Sequence, residues 1–273
     1  LSASGGTPER ISDGPDGTFH RNPWVLPGSR KVLFEIDPPG GLEESRIGVL
    51  DVASRAVDTL VAGTQARYVP SGHLVYSGAD GSVLVQPFDA ARARTTGPAV
   101  AIIEGIVVRG QGNAEFAVSA AGDLAYVPGS AGKETLEFMG DRTRTPVALP
   151  RSVNLEDPAI SPDGRRIAVR VTGEGEKDDI WIFDRDQGTL ARFTVTGNNY
   201  SPVWSPDGRR IAFSSDRDSV QGIYAQPSDG SGPVQRVFAA GFPIMPATWL
   251  RDGRIVLVAQ RPGTRADVGV LSP

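Results

Sequence analysis

Short apolar stretches rich in Val, Ile, Phe, Tyr and Trp alternate along the chain with polar punctuation built from Gly, Pro, Asp and Ser. "RIAFSS" (Arg210–Ser215), "DIWIFD" (Asp179–Asp184) and "GIYAQP" (Gly222–Pro227) are representative. Such lengths and compositions predict β-strands joined by tight turns. No segment sustains a 3.6-residue apolar period over three turns, so helix is not expected.

The pattern also repeats. "SPDGRRIA" occurs at Ser161–Ala168 and again at Ser205–Ala212. With the turn Asp as marker, Asp163 and Asp207 lie 44 positions apart, and Asp252 in "WLRDGRIVLV" follows after 45. Towards the N-terminus, Ala121, Ser71 and Gly28 take the marker position at spacings of 42, 50 and 43. A fixed period of this size indicates a repeat architecture. Each period reads as a first strand, the marker turn, an apolar second strand, a polar loop, a third strand, a turn and a last strand. Four strands per period and six periods predict a six-bladed β-propeller of four-stranded antiparallel blades in one domain spanning 1–273. The last period supplies strands at Ala247–Leu250, Ile255–Ala259 and Asp267–Leu271 and then stops. "GGTPERIS" (Gly5–Ser12) is expected to supply its outer strand, so that the N- and C-terminal strands share one blade and leave no open edge.

Composition narrows the function. The 273 residues include 33 Gly and 22 Pro, in keeping with many turns. A net charge of −4 argues against non-specific nucleic-acid binding. There is no Cys, which excludes disulfides, thiolate nucleophiles and Cys-based zinc sites. No apolar run reaches the length of a membrane helix, so membrane insertion is not expected. The N-terminus has no initiator Met or leader pattern, so the expectation is a removed leader or a piece of a longer chain.

"SPVWSPDGRRIAF" followed by "SDRD...IYAQPSDGSG" resembles the repeat of TolB-like β-propellers. "HRNPWVLPGSRKVLF", "ARYVPSGHLVYS...VLVQPFD" and "DIWIFDRDQGTLARFT" are similar to the propeller that follows bacterial serine/threonine kinase domains. The likeness covers the whole chain and is sharpest from Asp157 to Gly230. It departs from the pattern where Gly28, Ser71 and Ala121 replace the turn Asp, and at the degenerate third strand "LEFMGDRTR" (Leu136–Arg144). The resemblance implies a scaffold for protein contact or ligand sensing, monomeric as a domain, and a periplasmic or otherwise extracytoplasmic place of work.

The "SPDG" turns are best explained locally. Pro presets the first turn residue, Asp accepts a nearby backbone hydrogen bond and Gly takes the left-handed position. Arg165, Arg166, Arg209 and Arg210 are then expected on the exposed face of the hairpin. Trp24, Trp204 and Trp249 in first strands and Trp181 in a third strand are expected to pack blade against blade.

The candidate recognition surface is one mouth of the channel, ringed by the loops from each last strand to the next first strand: 17–23, 63–68, 109–116, 152–158, 196–202 and 241–246. Its polar set is His20, Arg21, Gln65, Arg67, Asn113, Glu115, Asn154, Glu156, Asn198 and Tyr200, beside Asn199. Phe242, Ile244 and Met245 would form an apolar wall. A mouth of this kind suits a protein, a peptide or a small polar ligand. No cofactor is required. The alternative is a Ca²⁺-dependent propeller hydrolase acting on a lactone or ester, for which Glu115, Glu156, Asn154 and Asn198 supply oxygen ligands. Nucleophilic catalysis has less to work with, since the two histidines, His20 and His73, are expected on opposite faces. The loops Glu35–Ser45 and Gly173–Asp179 are expected to give the mouth a negative rim that attracts basic segments.

Overall fold

The computed structural model describes residues 11–12, 18–28, 30–109, 112–129, 136–140, 143–147, 154–172, 177–261 and 266–272. It is an all-β, six-bladed propeller of small antiparallel sheets. The first blade comprises Phe19–Val25, Lys31–Asp37, Arg46–Asp51 and Val57–Ala62. The second comprises Thr64–Val69, His73–Ser77 and Val83–Asp89, with Arg94–Thr95 and Val100–Ile103 both paired to its third strand. Phe116–Val118, Leu124–Tyr126, Leu136–Gly140 and Thr143–Val147 form the third blade. Asn154–Ile160, Arg166–Thr172, Asp179–Asp184 and Thr189–Arg192 form the fourth, and Asn199–Trp204, Arg210–Ser215, Gly222–Pro227 and Gln235–Ala239 the fifth. The sixth blade uses Ile244–Trp249, Ile255–Gln260 and Ala266–Leu271. The outer strand expected at Gly5–Ser12 falls outside the described residues except for Ile11 and Ser12, which are buried.

The chain divides into two compact units, Leu1–Ala114 with Gly253–Pro273 and Glu115–Asp252. Within the first unit, the first strands of blades one and two lie against each other. Leu26, Leu33, Ile47, Leu74 and Tyr76 form a core beside them. Within the second unit, the first strands of blades three to six contact each other in turn. Ile180, Trp204, Ile211, Phe213 and Tyr224 share a core there.

One local device recurs. The first strands of blades one, two, four and five each carry a register shift against the second strand. A non-glycine residue in the left-handed region sits at each shift: Asn22 (φ 48°), Gln65 (φ 50°), Asp157 (φ 52°) and Ser201 (φ 52°). A bulge of this kind bends the strand and re-aims its side chains. Asn and Asp tolerate the conformation best, and the other two occupy it because the surrounding structure fixes them there.

The repeated turn works as its residues suggest. Ser161 donates from Oγ to Asp163 Oδ1 (2.6 Å), which also accepts from the Arg165 N–H (3.1 Å). Ser205, Asp207 and Arg209 repeat this at 2.6 and 3.0 Å. Gly164 and Gly208 close the turns at φ 73° and 69°. The serine hydroxyl and the backbone donor hold each aspartate below the usual carboxylate range. In the third blade, where Ala121 replaces the Asp, Ser119 Oγ accepts from the Ala121 and Asp123 N–H groups instead.

The expected exposure of four turn arginines needs correction. Arg165 and Arg209 are exposed, but Arg166 and Arg210 turn inward and are half-buried. Arg166 lies 4.7 Å from the Trp204 ring centroid and donates to the carbonyls of Gly208 (3.1 Å) and Ser228 (3.3 Å). Arg210 lies over Trp249 at 5.8 Å. Each second arginine therefore joins its blade to the first strand of the next. Trp204 adds a hydrogen bond from its indole N–H to the Ala159 carbonyl (2.9 Å), so it packs between blades as expected.

Candidate functional site

The first strands position most of the expected site residues. His20, Arg21, Gln65, Arg67, Asn154, Glu156 and Tyr200 lie within strands rather than in the loops before them, because pairing with the second strands begins earlier than the Gly/Pro signals suggest. Asn113 belongs to a two-residue strand, Glu115 precedes Phe116–Val118, and Asn198 precedes Asn199–Trp204.

In the first unit, Arg21, Gln65 and Arg67 gather around a residue outside the expected set, Glu35. Its side chain is almost wholly buried (1% exposed) on the second strand of blade one. Asn22 donates from Nδ2 to Glu35 Oε2 (2.8 Å), and the Gln65 N–H donates to the same oxygen (3.3 Å). Oε1 has no hydrogen-bond partner among the described residues. Burial pushes the Glu35 carboxyl up to about 7, against the opposing pull of the Asn22 hydrogen bond, Arg21 and the Gln65 N–H. Arg21 forms an ion pair with Asp37 and lies over the Phe19 ring (4.7 Å), while Ser45 Oγ donates to the other Asp37 oxygen (3.0 Å). Arg67 lies over Trp24 (5.2 Å) and donates from Nη1 to the Ala66 carbonyl (3.1 Å) and, more weakly, to that of Asn22 (3.5 Å). His20 is buried edge-on to Phe34 (4.8 Å), and Asn113 is exposed.

In the second unit, Glu156 and Tyr200 meet at Arg170, also outside the expected set. Arg170 donates from Nη1 to Glu156 Oε2 (2.7 Å) and from Nε to Asp178 Oδ2 (3.1 Å), and its guanidinium lies 5.9 Å from the Tyr200 ring centroid. Desolvation would lower its pKa, but Glu156, Asp157 and Asp178 outweigh it and raise the value. The Tyr200 hydroxyl accepts from Gln221 Nε2 (2.6 Å). Asn198 donates from both its backbone N–H (2.7 Å) and its Nδ2 (2.6 Å) to Asp216. Asn154 is exposed at the head of its strand.

Two of the expected residues also accept from backbone N–H groups further along the chain. Gln65 Oε1 accepts from the Ala114 N–H (3.0 Å), and Glu115 Oε2 accepts from the Asp157 N–H (2.8 Å). Asp157 Oδ2 in turn accepts from the Ser201 N–H (3.1 Å).

The expected acidic rim needs correction at three residues. Glu35 and Asp37 lie in a strand and are buried, and Asp179 is buried at a strand start. There, its carboxylate accepts from Thr194 Oγ1 (2.9 Å) and Asn199 Nδ2 (3.2 Å). Residues 173–176 lie outside the described residues. The apolar wall loses Ile244, which is fully buried as the first residue of its strand. Among the described residues, no three His, Asp or Glu side chains are grouped to hold a metal ion.

The sequence pattern puts Glu35 in an acidic loop and does not single out Arg170, for a common reason. They sit on second strands, directly opposite Arg21 and Glu156 in register, and only cross-strand pairing reveals them. The signal available in the sequence was a charged residue inside an apolar run, "KVLFEID" and "RIAVRVT".

A family model described as the TolB beta propeller domain matches residues 106–272. The Tol-Pal system protein TolB of Francisella tularensis is 31% identical over 116 residues, covering 42% of this chain and 26% of that protein. An uncharacterized peptidase of Bacillus subtilis, YuxL, is 36% identical over 114 residues, covering 39% of this chain and 17% of the peptidase. The matches thus span only about a quarter or less of these relatives' own length. A gluconolactonase from Xanthomonas campestris superposes with a TM-score of 0.65 at 16% identity, covering 96% of this chain and 88% of that one. At that identity the likeness is one of fold.

Proposed function

Because the chain belongs to the TolB beta propeller domain family, we propose that it is a non-catalytic binding module, one propeller domain that recognises a protein, a peptide or a small polar ligand. The observation that carries this reading is the stacking of a guanidinium on an aromatic ring of a first strand in each unit, Arg67 on Trp24 and Arg170, from a second strand, on Tyr200. Planar, stacked arginines with fixed donors suit recognition of polar chain groups. A serine and a histidine do meet, Ser71 Oγ and His73 Nδ1 at 3.2 Å, but in an exposed hairpin turn, and His20 is buried against Phe34.

An extracytoplasmic place of work belongs to the same proposal, supported by the similarity to the Tol-Pal system protein TolB, and a monomeric state is proposed with it. No described helix is long and apolar enough to cross a membrane.

Selection of a displayed heptapeptide library on the immobilised chain tests this reading. Enriched peptides whose binding is lost in Arg67→Gln or Arg170→Gln, with a melting temperature close to that of the parent, support it. No enrichment, or binding indifferent to both substitutions, overturns it.

A further inference from the structure

Arg67 is held in place by only part of its donor set. Nη1 is anchored on the Ala66 and Asn22 carbonyls and the guanidinium lies over Trp24. These contacts fix the plane of the group. Among the described residues no carboxylate lies within ion-pair distance of it, and Nε and Nη2 have no acceptor. Burial strips water from this half-buried cation and lowers its pKa to about 10, with Glu35 pulling the other way. Arg21, on the neighbouring first strand, has its counter-charge in Asp37.

The carboxylate that could balance Arg67 is itself committed elsewhere. Glu35 Oε2 accepts from Asn22 and from the Gln65 N–H, while the buried Oε1 has no donor. Oε1 faces Gly112, whose missing side chain would begin 3.4 Å from it and 3.4 Å from Thr64 Cγ2. Thr64 Oγ1 is likewise buried and without a partner. Glu35 therefore has an oxygen on which a proton can sit without breaking either existing hydrogen bond.

We propose that the open Nε–Nη2 edge of Arg67 receives a carboxylate group of the ligand, and that Glu35 takes up a proton as that anion binds. This rests on the binding-module reading above. The Nε–Nη2 edge of a guanidinium matches the two oxygens of a carboxylate, and a charge-assisted pair of this kind is strong where water is scarce. The arriving anion adds a like charge near Glu35 and favours its neutral form. By reciprocity, protonation of Glu35 favours the anion. The other charged groups around Glu35 are Arg21 on the first strand and Asp37 on its own strand. Glu43 and Glu44 follow Leu42, which packs at Gly112, and Arg109 stands on the short hairpin that pairs with Asn113–Ala114. Since burial holds the free Glu35 carboxyl at about 7, the coupling sets in near pH 7 and acts above it, where the free group is ionised and the bound one still holds its proton.

The test uses the whole chain at constant ionic strength and three probes: N-acetyl-Gly-Gly with a free carboxylate, the same peptide as its C-terminal amide, and succinate. Affinity is read by isothermal titration calorimetry for every variant, and the place of binding in the parent from the Arg67 Nε–Hε resonance, assigned by its loss in Arg67→Lys. The free-acid peptide or succinate is expected to shift that resonance saturably. Whichever of the two binds more tightly identifies a chain terminus or a small organic acid as the source of the carboxylate. The amide is expected to bind at least about tenfold more weakly, and Arg67→Lys, which keeps the charge without the two-donor edge, to lose about tenfold or more. Affinity should be nearly level at pH 6 and fall as pH rises from about 7 to 8, by up to about tenfold per unit, and Glu35→Gln should flatten that dependence. Equal binding of acid and amide, unchanged binding by Arg67→Lys, a pH dependence that survives Glu35→Gln, or no binding of either acid would each overturn the proposal. If library peptides bind while the acid and amide probes are indistinguishable, the carboxylate assignment fails and the binding-module reading stands.

Discussion

Asp157 Oδ2 accepts a hydrogen bond from the backbone N–H of Ser201, 44 positions further along the chain and one blade on. Both residues occupy left-handed bulges at the same place in their first strands. The Asp157 N–H in turn donates to Glu115. A bulge leaves a backbone donor outside the sheet ladder, and here the preceding blade supplies its acceptor. The polar character of these first strands is thus partly a requirement of blade-to-blade assembly. Glu115, expected in a binding surface, has at least this structural duty as well, and Gln65 likewise accepts from the Ala114 N–H.

Asp157→Ala should destabilise the chain by about 1–3 kcal/mol, since it strands the Ser201 N–H and puts a β-carbon residue without a local hydrogen bond at positive φ. Asp157→Asn retains a carbonyl acceptor and tolerates the same backbone, so its cost should be well under half as large. Urea unfolding of the two variants beside the parent measures this. Equal losses would mean that the carboxylate charge, and not the acceptor at the bulge, matters.

The two arginines of one repeated turn should behave differently. Arg166→Ala removes the stack on Trp204 and donors to two carbonyls, at an expected cost of about 1–3 kcal/mol. Arg165→Ala should stay within about 0.5 kcal/mol, because its only ion pair among the described residues, to Asp186 at 3.5 Å, is exposed on both sides. Thermal melting of both variants is sufficient to test the difference.

Much of the fold could be read because its signals are local and repeated. "DIWIFD", "GIYAQP" and "RIAFSS" coincide with strands Asp179–Asp184, Gly222–Pro227 and Arg210–Ser215. "SPDG" encodes its own turn in four adjacent residues. The candidate site was less legible, because it is assembled across strands. Glu35 reads as the first residue of an acidic loop, yet it pairs with Arg21 across the sheet and with the Gln65 N–H from the next blade. Arg166 and Arg165 are indistinguishable as letters in "DGRR", but only Arg166 belongs to the second strand and reaches the neighbouring tryptophan.

Calcium gives a discriminating measurement between binding module and metal-dependent hydrolase. A stoichiometric ion present at a hundred times its dissociation constant stabilises the folded chain by about 2.7 kcal/mol. Glu115 already accepts from Asp157, and Glu156 from Arg170. The oxygen set proposed for the ion is therefore partly engaged. Addition of millimolar Ca²⁺ should leave the melting temperature unchanged, and a chelator should not lower it. A Ca²⁺-dependent rise lost in Glu115→Gln would favour the hydrolase.

Glu35 should leave a signature in the pH dependence of stability. Its carboxyl titrates at about 7 in the folded chain against an ordinary 4.5, chiefly because it is buried. Between these values the folded state binds the proton and the unfolded state does not, so the contribution of Glu35 is fully present below about pH 4.5 and is lost as pH rises through 7. The total is on the order of 3 kcal/mol. Glu35→Gln keeps an oxygen for the Asn22 and Gln65 donors and has no charge to bury. The variant should therefore match the parent near pH 5 and exceed it in stability at pH 8. Denaturant unfolding of both proteins at the two pH values decides the matter. A constant difference between them would mean that Glu35 stays ionised throughout.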